Sequence, residues 1–367
     1  MHRFYVFIDQ ICYLTMENDE KKILFWLEDI SMYLGIANKL QELTNYKLYA
    51  IVDGNKEAEN YYANQKLVNF KKLWFFRNKV NIDIKDFHLS YLSTFEKKYG
   101  VKLWEIIYAE RFFTSFSRYH NFSYEEILTI IEQECKFFEN ILDEVHPDYL
   151  IIRVPDFHHV HLLHKLCIAK QIKPIILDYI RFGSKSILTE EVDTPITFSK
   201  TSTINQIRSF EELQELFHHK NSVVDYNKKS QSSKKQFLLA AFYFLFKTNI
   251  NSYTSSYQTI GKTKFWVFLK ECSKLIKKYF REKYIKKNSI YEIPDTPFIF
   301  FPLHLEPERT LLMKAPFYTN QLSLIENIAK SIPIGYKLLV KEHPAMQRSG
   351  CVQNPFMKNY VNYLMLF

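Results

Sequence analysis

The stretch YLIIRVPDFHHVHLLHKLCIAKQIKPIILD, from Tyr149 to Asp178, decides the fold. Tyr149 to Val154 is a short apolar run stopped by Pro155. His158 to about Gln171 carries apolar residues at helical spacing, and Pro174 to Leu177 is a second apolar run ending at Asp178. Strand, helix and strand in this order make a crossover, so the two strands lie parallel in one sheet with helices covering its faces. Such sheets bind ligands beyond the carboxyl ends of their strands. Pro155-Asp156-Phe157 and Asp178 stand at two of these ends.

The alternation extends upstream. A strand-like FYVFID (Phe4 to Asp9) is followed by helical stretches through Leu43, then by the strand KLYAIVD (Lys47 to Asp53), which closes on the turn pair Asp53-Gly54. Phe122 to Val145 predicts an amphipathic helix with Ser123 as N-cap and Glu126 three residues on. Residues 1–200 are therefore expected to form an N-terminal Rossmann-like domain. Residues 201–295 turn Lys- and Ser-rich around helices and read as a basic inter-domain region. Residues 296–367 begin a second α/β pattern: the strand PFIFFPLH (Pro297 to His304), a helix from about Asn320 to Ser331, and the strand YKLLVK (Tyr336 to Lys341). Only two strands are legible there, Phe298 to Phe301 and Leu338 to Lys341. A sheet that small leaves an apolar edge and face in water, so this C-terminal domain is expected to be incomplete.

A chain of 367 residues exceeds the roughly 250–300 at which single cores stop growing, which agrees with two domains. Cys12, Cys135, Cys167, Cys272 and Cys351 form no C-x-x-C pair, so neither a disulfide framework nor a zinc knuckle is indicated. Asp9 interrupts the N-terminus before a signal-peptide core forms. The apolar run Phe237 to Phe246 is half of the ~20 residues a membrane span needs. A cytoplasmic location is expected. The net charge of +9 is concentrated between Lys262 and Lys287, where ten basic residues face Glu271 and Glu282 for a local +8. The helix Thr263 to Lys287 carries Trp266, Leu269, Ile276, Phe280 and Tyr284 along one stripe. It reads either as a surface for anionic lipid, on the inner face of the cytoplasmic membrane, or as an inter-domain helix with solvated lysines. No motif that reads RNA or DNA accompanies the charge, and no nucleic-acid partner is expected.

Chemistry concentrates at the strand ends. In the last segment one strand runs into Phe301-Pro-Leu-His-Leu-Glu-Pro-Glu308 and the other into Lys341-Glu-His-Pro344, bringing histidines and acids to the same sheet edge. Pro344 stops its strand, and His343 before it can donate a charge-assisted hydrogen bond to phosphate oxygens. The spacing equally allows His343 to cap the strand with Glu342 facing solvent. In the first domain Asp156 and His158 stand at a strand end, either as acceptor-binding or general-base groups or as a loop acid and a polar helix face. The turn Arg181-Phe-Gly-Ser184 either contacts an anionic acceptor or is a plain turn. His158, His161 and His164 have helical ligand spacing, but with no H-E-x-x-H and no carboxylate triad nearby, no metal is expected.

FPLHLEPERT, APFYTNQLSLIENIAKSIPIGYKL and VKEHPAM together resemble bacterial capsule and surface polysaccharide biosynthesis proteins, those similar to Kdo-transferring and sialyltransferase-like glycosyltransferases. The resemblance is strong over Pro297 to Met346 and weaker over Glu96 to Arg111 and Pro147 to Ile187. It implies a GT-B-like pair of Rossmann-type domains, a nucleotide-sugar donor such as a CMP-sugar on the C-terminal one, a glycan or glycolipid acceptor on the N-terminal one, and no further cofactor. It makes His343 and Pro344 the donor-phosphate motif. His304, Pro307 and Glu308 match the other motif, with Glu306 where the family has Gln, an extra charge for Arg309 or Lys314 to offset. Glu308, Glu342 and Asp156 are then the candidate catalytic acids and base, His304, His343, Pro344 and Arg309 bind the donor, and His158 and Arg181 bind the acceptor. A CDP-polyol phosphotransferase and a catalytically silent, truncated binding protein are the competing readings.

Overall fold

The computed structural model describes residues 20–28, 32–77, 79–80, 87–113, 119–180, 185–191, 194–196, 209–211, 242–244, 246, 260–261, 263–305, 308, 310–343 and 364–366. The chain divides into two compact units, Met1–Leu103 with Tyr124–Thr259, and Trp104–Ser123 with Ile260–Phe367. The strand expected at Phe4 to Asp9 lies outside the described residues.

In the first unit β1 (Lys22–Leu27), α1 (Met32–Leu43), β2 (Lys47–Val52), α2 (Lys56–Asn64), β3 (Lys72–Phe75), α3 (Leu89–Tyr99), α4 (Tyr124–Val145), β4 (Tyr149–Arg153), α5 (His158–Ala169), β5 (Lys173–Ile180), β6 (Lys185–Glu191) and β7 (Thr194–Pro195) follow in chain order. They build one sheet in the order β3-β2-β1-β4-β5-β6-β7. Its strands are parallel from β3 to β5, and β6 and β7 join antiparallel. The chain winds outward from β1 to β3 and restarts at β4 on the other side of β1, which makes the β1/β4 boundary the topological switch point.

The central strand is a correction to the sequence reading, which expects helical structure through Leu43. Ile23 to Leu27 are each at most 1% exposed, and β1 pairs with β2 on one edge and β4 on the other. A short all-apolar run has no period to tell helix from strand; burial on both faces of a parallel sheet decides it. Along β1, Ile23, Phe25 and Leu27 pack with Tyr33, Leu34, Ile36, Ala37 and Leu40 of α1. Trp26, on the other face, meets Phe76 and Phe138 of α4. Helices thus cover both faces, and each such buried side chain contributes about 1.5–3 kcal/mol over its exposed state. β5 runs past Leu177 because Ile180 pairs with Lys185 of β6, a partner its own sequence does not announce.

The second unit contains α6 (Lys264–Asn288), β8 (Ser289–Ile290), β9 (Phe298–Pro302), α7 (Gln321–Ser331), β10 (Lys337–Lys341) and β11 (Leu364–Leu366). Thr263 caps α6 by accepting from the Trp266 amide at 3.2 Å. The part of the expected inter-domain region that carries α6 therefore belongs to this unit. The sheet has four parallel strands in the order β8-β11-β10-β9, where the sequence shows two. β8 and β11 are too short to carry a readable alternation. Because β11 pairs with β10 from Leu339↔Leu364 to Lys341↔Leu366, β10 is interior, and Leu339 and Val340 are fully buried. An apolar edge in water is seen at β9, where Phe298 and Phe300 are 40% and 48% exposed. The small core gathers Ile285, Leu303, Ile325, Leu338 and Val340.

Candidate functional site

β9 and β10 run parallel with Pro302 opposite Lys341, and the Leu303 amide donates to the Lys341 carbonyl at 2.8 Å, so the two strands leave the sheet side by side. His304 and His343 follow directly, the first exposed and the second half-buried. Gln321, the 1% exposed first residue of α7, fixes the backbone at His304 from both sides. Its Oε1 accepts from the His304 amide at 2.7 Å and its Nε2 donates to the His304 carbonyl at 3.1 Å. Neither motif comparison nor spacing singled out Gln321, whose role depends on a contact 17 residues away. Glu308 is half-buried. Arg309 and Pro344, with Glu306 and Pro307, lie outside the described residues.

Glu342 differs from the expectation of an acid open to substrate. It is 5% exposed and forms an ion pair with Arg281 of α6, the two side chains being 2% and 8% exposed. A carboxylate removed from water needs a charge partner, and this one has it inside the unit rather than in a ligand.

In the first unit the switch point is lined by charge. Arg153, the last residue of β4, bridges across it, with Nη1 2.7 Å from Glu28 Oε2 at the end of β1 and Nη2 2.7 Å from Asp156 Oδ2. Burial works against the Arg153 cation, but Glu28 and Asp156 more than offset it and hold its pKa above the ordinary value. Asp156 stays about a third exposed and is reachable from solvent. The chain between β1 and α1 reads Glu28-Asp-Ile-Ser31 and has no glycine-rich turn to cradle a pyrophosphate.

Beside this bridge, Asp53 after β2 is held by Arg77 (Nε to Oδ1, 2.7 Å) and by His159 (Nε2 to Oδ2, 3.2 Å). Burial pushes the Asp53 carboxyl upward, yet His159 and Arg77 outweigh it and keep its pKa below the usual range. His158 points inward, 3.1 Å from Glu134 of α4, with side chains 1% and 0% exposed, so it cannot touch an acceptor. That corrects its expected acceptor role: the run from His158 to His164 is buried throughout, and its polar letters mark interior hydrogen bonds rather than a solvated face. Arg181 lies outside the described residues. A cavity of about 440 Å³ lined by His146, Asp148, Lys170 and Lys173 opens at the amino ends of β4 and β5, the edge opposite these groups.

On α6 Phe265, Trp266, Leu269, Ile276, Tyr279 and Phe280 are each 39% or more exposed. Tyr284, expected in the same stripe, is half-buried. Among the described residues no helix is long and apolar enough to cross a membrane. No protein-family model matches the chain, and no match is found among curated proteins.

Proposed function

We propose that the protein is a GT-B-like glycosyltransferase of capsule or surface polysaccharide synthesis, using a nucleotide-sugar, with CMP as the favoured nucleotide. The observation that supports this reading is the pair of histidines, His304 and His343, leaving adjacent parallel strands at the carboxyl edge of the second sheet. Histidine side chains there offer hydrogen-bond donors to a donor phosphate. In this scheme the acceptor hydroxyl attacks the anomeric carbon, its proton passes to a base, and the nucleotide departs with the electrons of the broken C–O bond. Glu308 supplies the carboxylate that stabilises the oxocarbenium-like state; Asp156, ion-paired to Arg153, is the candidate acceptor-binding carboxylate of the first unit. The switch-point charges without a glycine cradle favour the first unit as the acceptor side.

His343→Ala is expected to weaken CMP binding by about 1.5–3 kcal/mol, the range for a hydrogen bond to a charged group. Isothermal calorimetry on the folded variant checks it. Equal affinity in wild type and variant, or no CMP binding by the wild type, removes the assignment.

One observation favours a second reading. With Glu342 committed to Arg281, fewer acids remain for chemistry, as expected of a binding protein without turnover. Nucleotide binding without donor cleavage in the presence of acceptors would select it.

The exposed apolar stripe of α6 with its lysines supports placement of the protein on an anionic membrane surface. Each lysine near such a surface contributes about 1 kcal/mol at most, within a Debye length of roughly 8 Å at physiological salt. Cosedimentation with phosphatidylglycerol vesicles should therefore fall steeply between low and high salt and be weak on phosphatidylcholine. Binding indifferent to both sinks the proposal.

A further inference from the structure

The interior of the first unit holds a group of side chains that the proposed transfer chemistry does not use. Glu134 of α4 and His158 and His159 at the start of α5 each offer a ligand atom, and these atoms lie within 4.8 Å of one another. All three residues are buried, none more than 4% exposed. We infer that Glu134, His158 and His159 form a zinc site, with Asp53 as the carboxylate behind His159.

Three features carry it. First, a carboxylate only accepts hydrogen bonds, so the contact from His159 Nε2 to Asp53 Oδ2 at 3.2 Å puts a proton on Nε2, and in the neutral ring the lone pair is then on Nδ1. Arg77 Nε holds the other oxygen of Asp53 at 2.7 Å. A histidine whose far nitrogen donates to a carboxylate is the arrangement found behind metal ligands, where it fixes tautomer and ring orientation. Second, Nδ1 of His159 is buried and has no hydrogen-bond partner among the described residues. Such a lone pair is costly in an interior unless something electrophilic meets it. Third, His158 Nε2 and Glu134 Oε1 are 3.1 Å apart. Two ligands about 2.0–2.1 Å from one tetrahedral ion are separated by roughly 3.3 Å, so these atoms need little movement to share one.

The donor set of two imidazoles and a carboxylate suits zinc better than magnesium or calcium, which take oxygen ligands. Glu134 can supply its second oxygen to bring the coordination number to four. The surroundings are dry: the His159 ring packs on Phe76 at 4.8 Å, Trp26 at 5.5 Å and Phe157 at 5.8 Å. A closed site of this kind ties α5 to α4 and is structural rather than catalytic. To ligate through Nε2, His158 takes the neutral tautomer that carries its proton on Nδ1. The carboxylate ligand lies 24 residues before His158, which is why histidine spacing alone gave no metal site.

The test uses the full chain, free of any histidine tag and purified without chelator. Elemental analysis should find one zinc per chain, and after chelation added cobalt(II) should give a visible ligand-field spectrum that zinc bleaches. Zinc, but not magnesium, should restore the melting temperature lost on chelation. Glu134→Gln and His158→Gln should lose the stoichiometric metal, and Asp53→Asn should weaken zinc about 10–100-fold, with a changed pH dependence of binding. The wild-type cobalt titration stands by itself if a variant fails to fold. Protein that carries no zinc and shows neither a cobalt spectrum nor a zinc-dependent melting shift overturns the inference, as does full zinc content in folded Glu134→Gln and His158→Gln.

Discussion

Replacing Arg281 by methionine is expected to destabilise the second unit by about 3–5 kcal/mol, the cost of leaving a buried charge without its partner. The side chain of Glu342 is 2% exposed and that of Arg281 8%, so neither can turn to water without opening the unit. The pair links α6 to the residue between Lys341 at the end of β10 and His343, and so fixes the backbone from which the candidate phosphate ligand projects. Arg281 is in this sense a positioning residue. The double variant Arg281→Met, Glu342→Leu should recover most of the loss, because an apolar pair of similar volume removes both desolvation costs. Urea denaturation combined with amide exchange at Leu339 and Val340 reads the unit directly. A single variant that costs less than about 1 kcal/mol, or a double variant no better than the single, would show the pair to be solvated and the argument wrong.

The parts legible in the sequence are those whose signal is local. Tyr149 to Asp178 gave its crossover from its own apolar runs, and the structure keeps it as β4, α5 and β5. The paired strand ends of β9 and β10 were readable because each strand is apolar and each stops at a histidine. What stayed hidden depends on partners far along the chain. β1 is a strand because β2 and β4 flank it, and with β1 unread the switch point and Glu28 were invisible. Glu342 looks like an open acid until Arg281, 61 residues earlier in a lysine-rich helix, is found beside it. His158 looks like a surface residue until Glu134 meets it inside. β11 contributes three residues, too few for any periodicity, yet it turns β10 from an edge into an interior strand.

The other large effect belongs to the aromatic cluster beneath the switch point. Phe76 is fully buried just past β3, where its amide donates to the Val52 carbonyl at 2.9 Å. Its ring stacks on Phe138 at 5.8 Å and on His159 at 4.8 Å, and meets Trp26 edge-on at 5.4 Å. It therefore joins the sheet, α4 and α5 through one side chain. Phe76→Ala removes the transfer free energy of the ring and leaves a cavity that rigid strands and helices close only in part, so a loss of about 3–5 kcal/mol is expected. Against a total stability of about 5–15 kcal/mol this is a large share, and the first unit should melt far earlier while the second keeps its own transition. Phe265→Ala on α6 is the matched control: at 66% exposed its ring is already in water, and the cost should stay within about 0.5 kcal/mol. Denaturation followed by fluorescence and by amide exchange at Ile151, in the strand next to β1, separates the two. Comparable losses from the two substitutions would mean that the face of β1 bearing Trp26 is not closed by α4, and the two-faced sheet described for this unit would have to be given up.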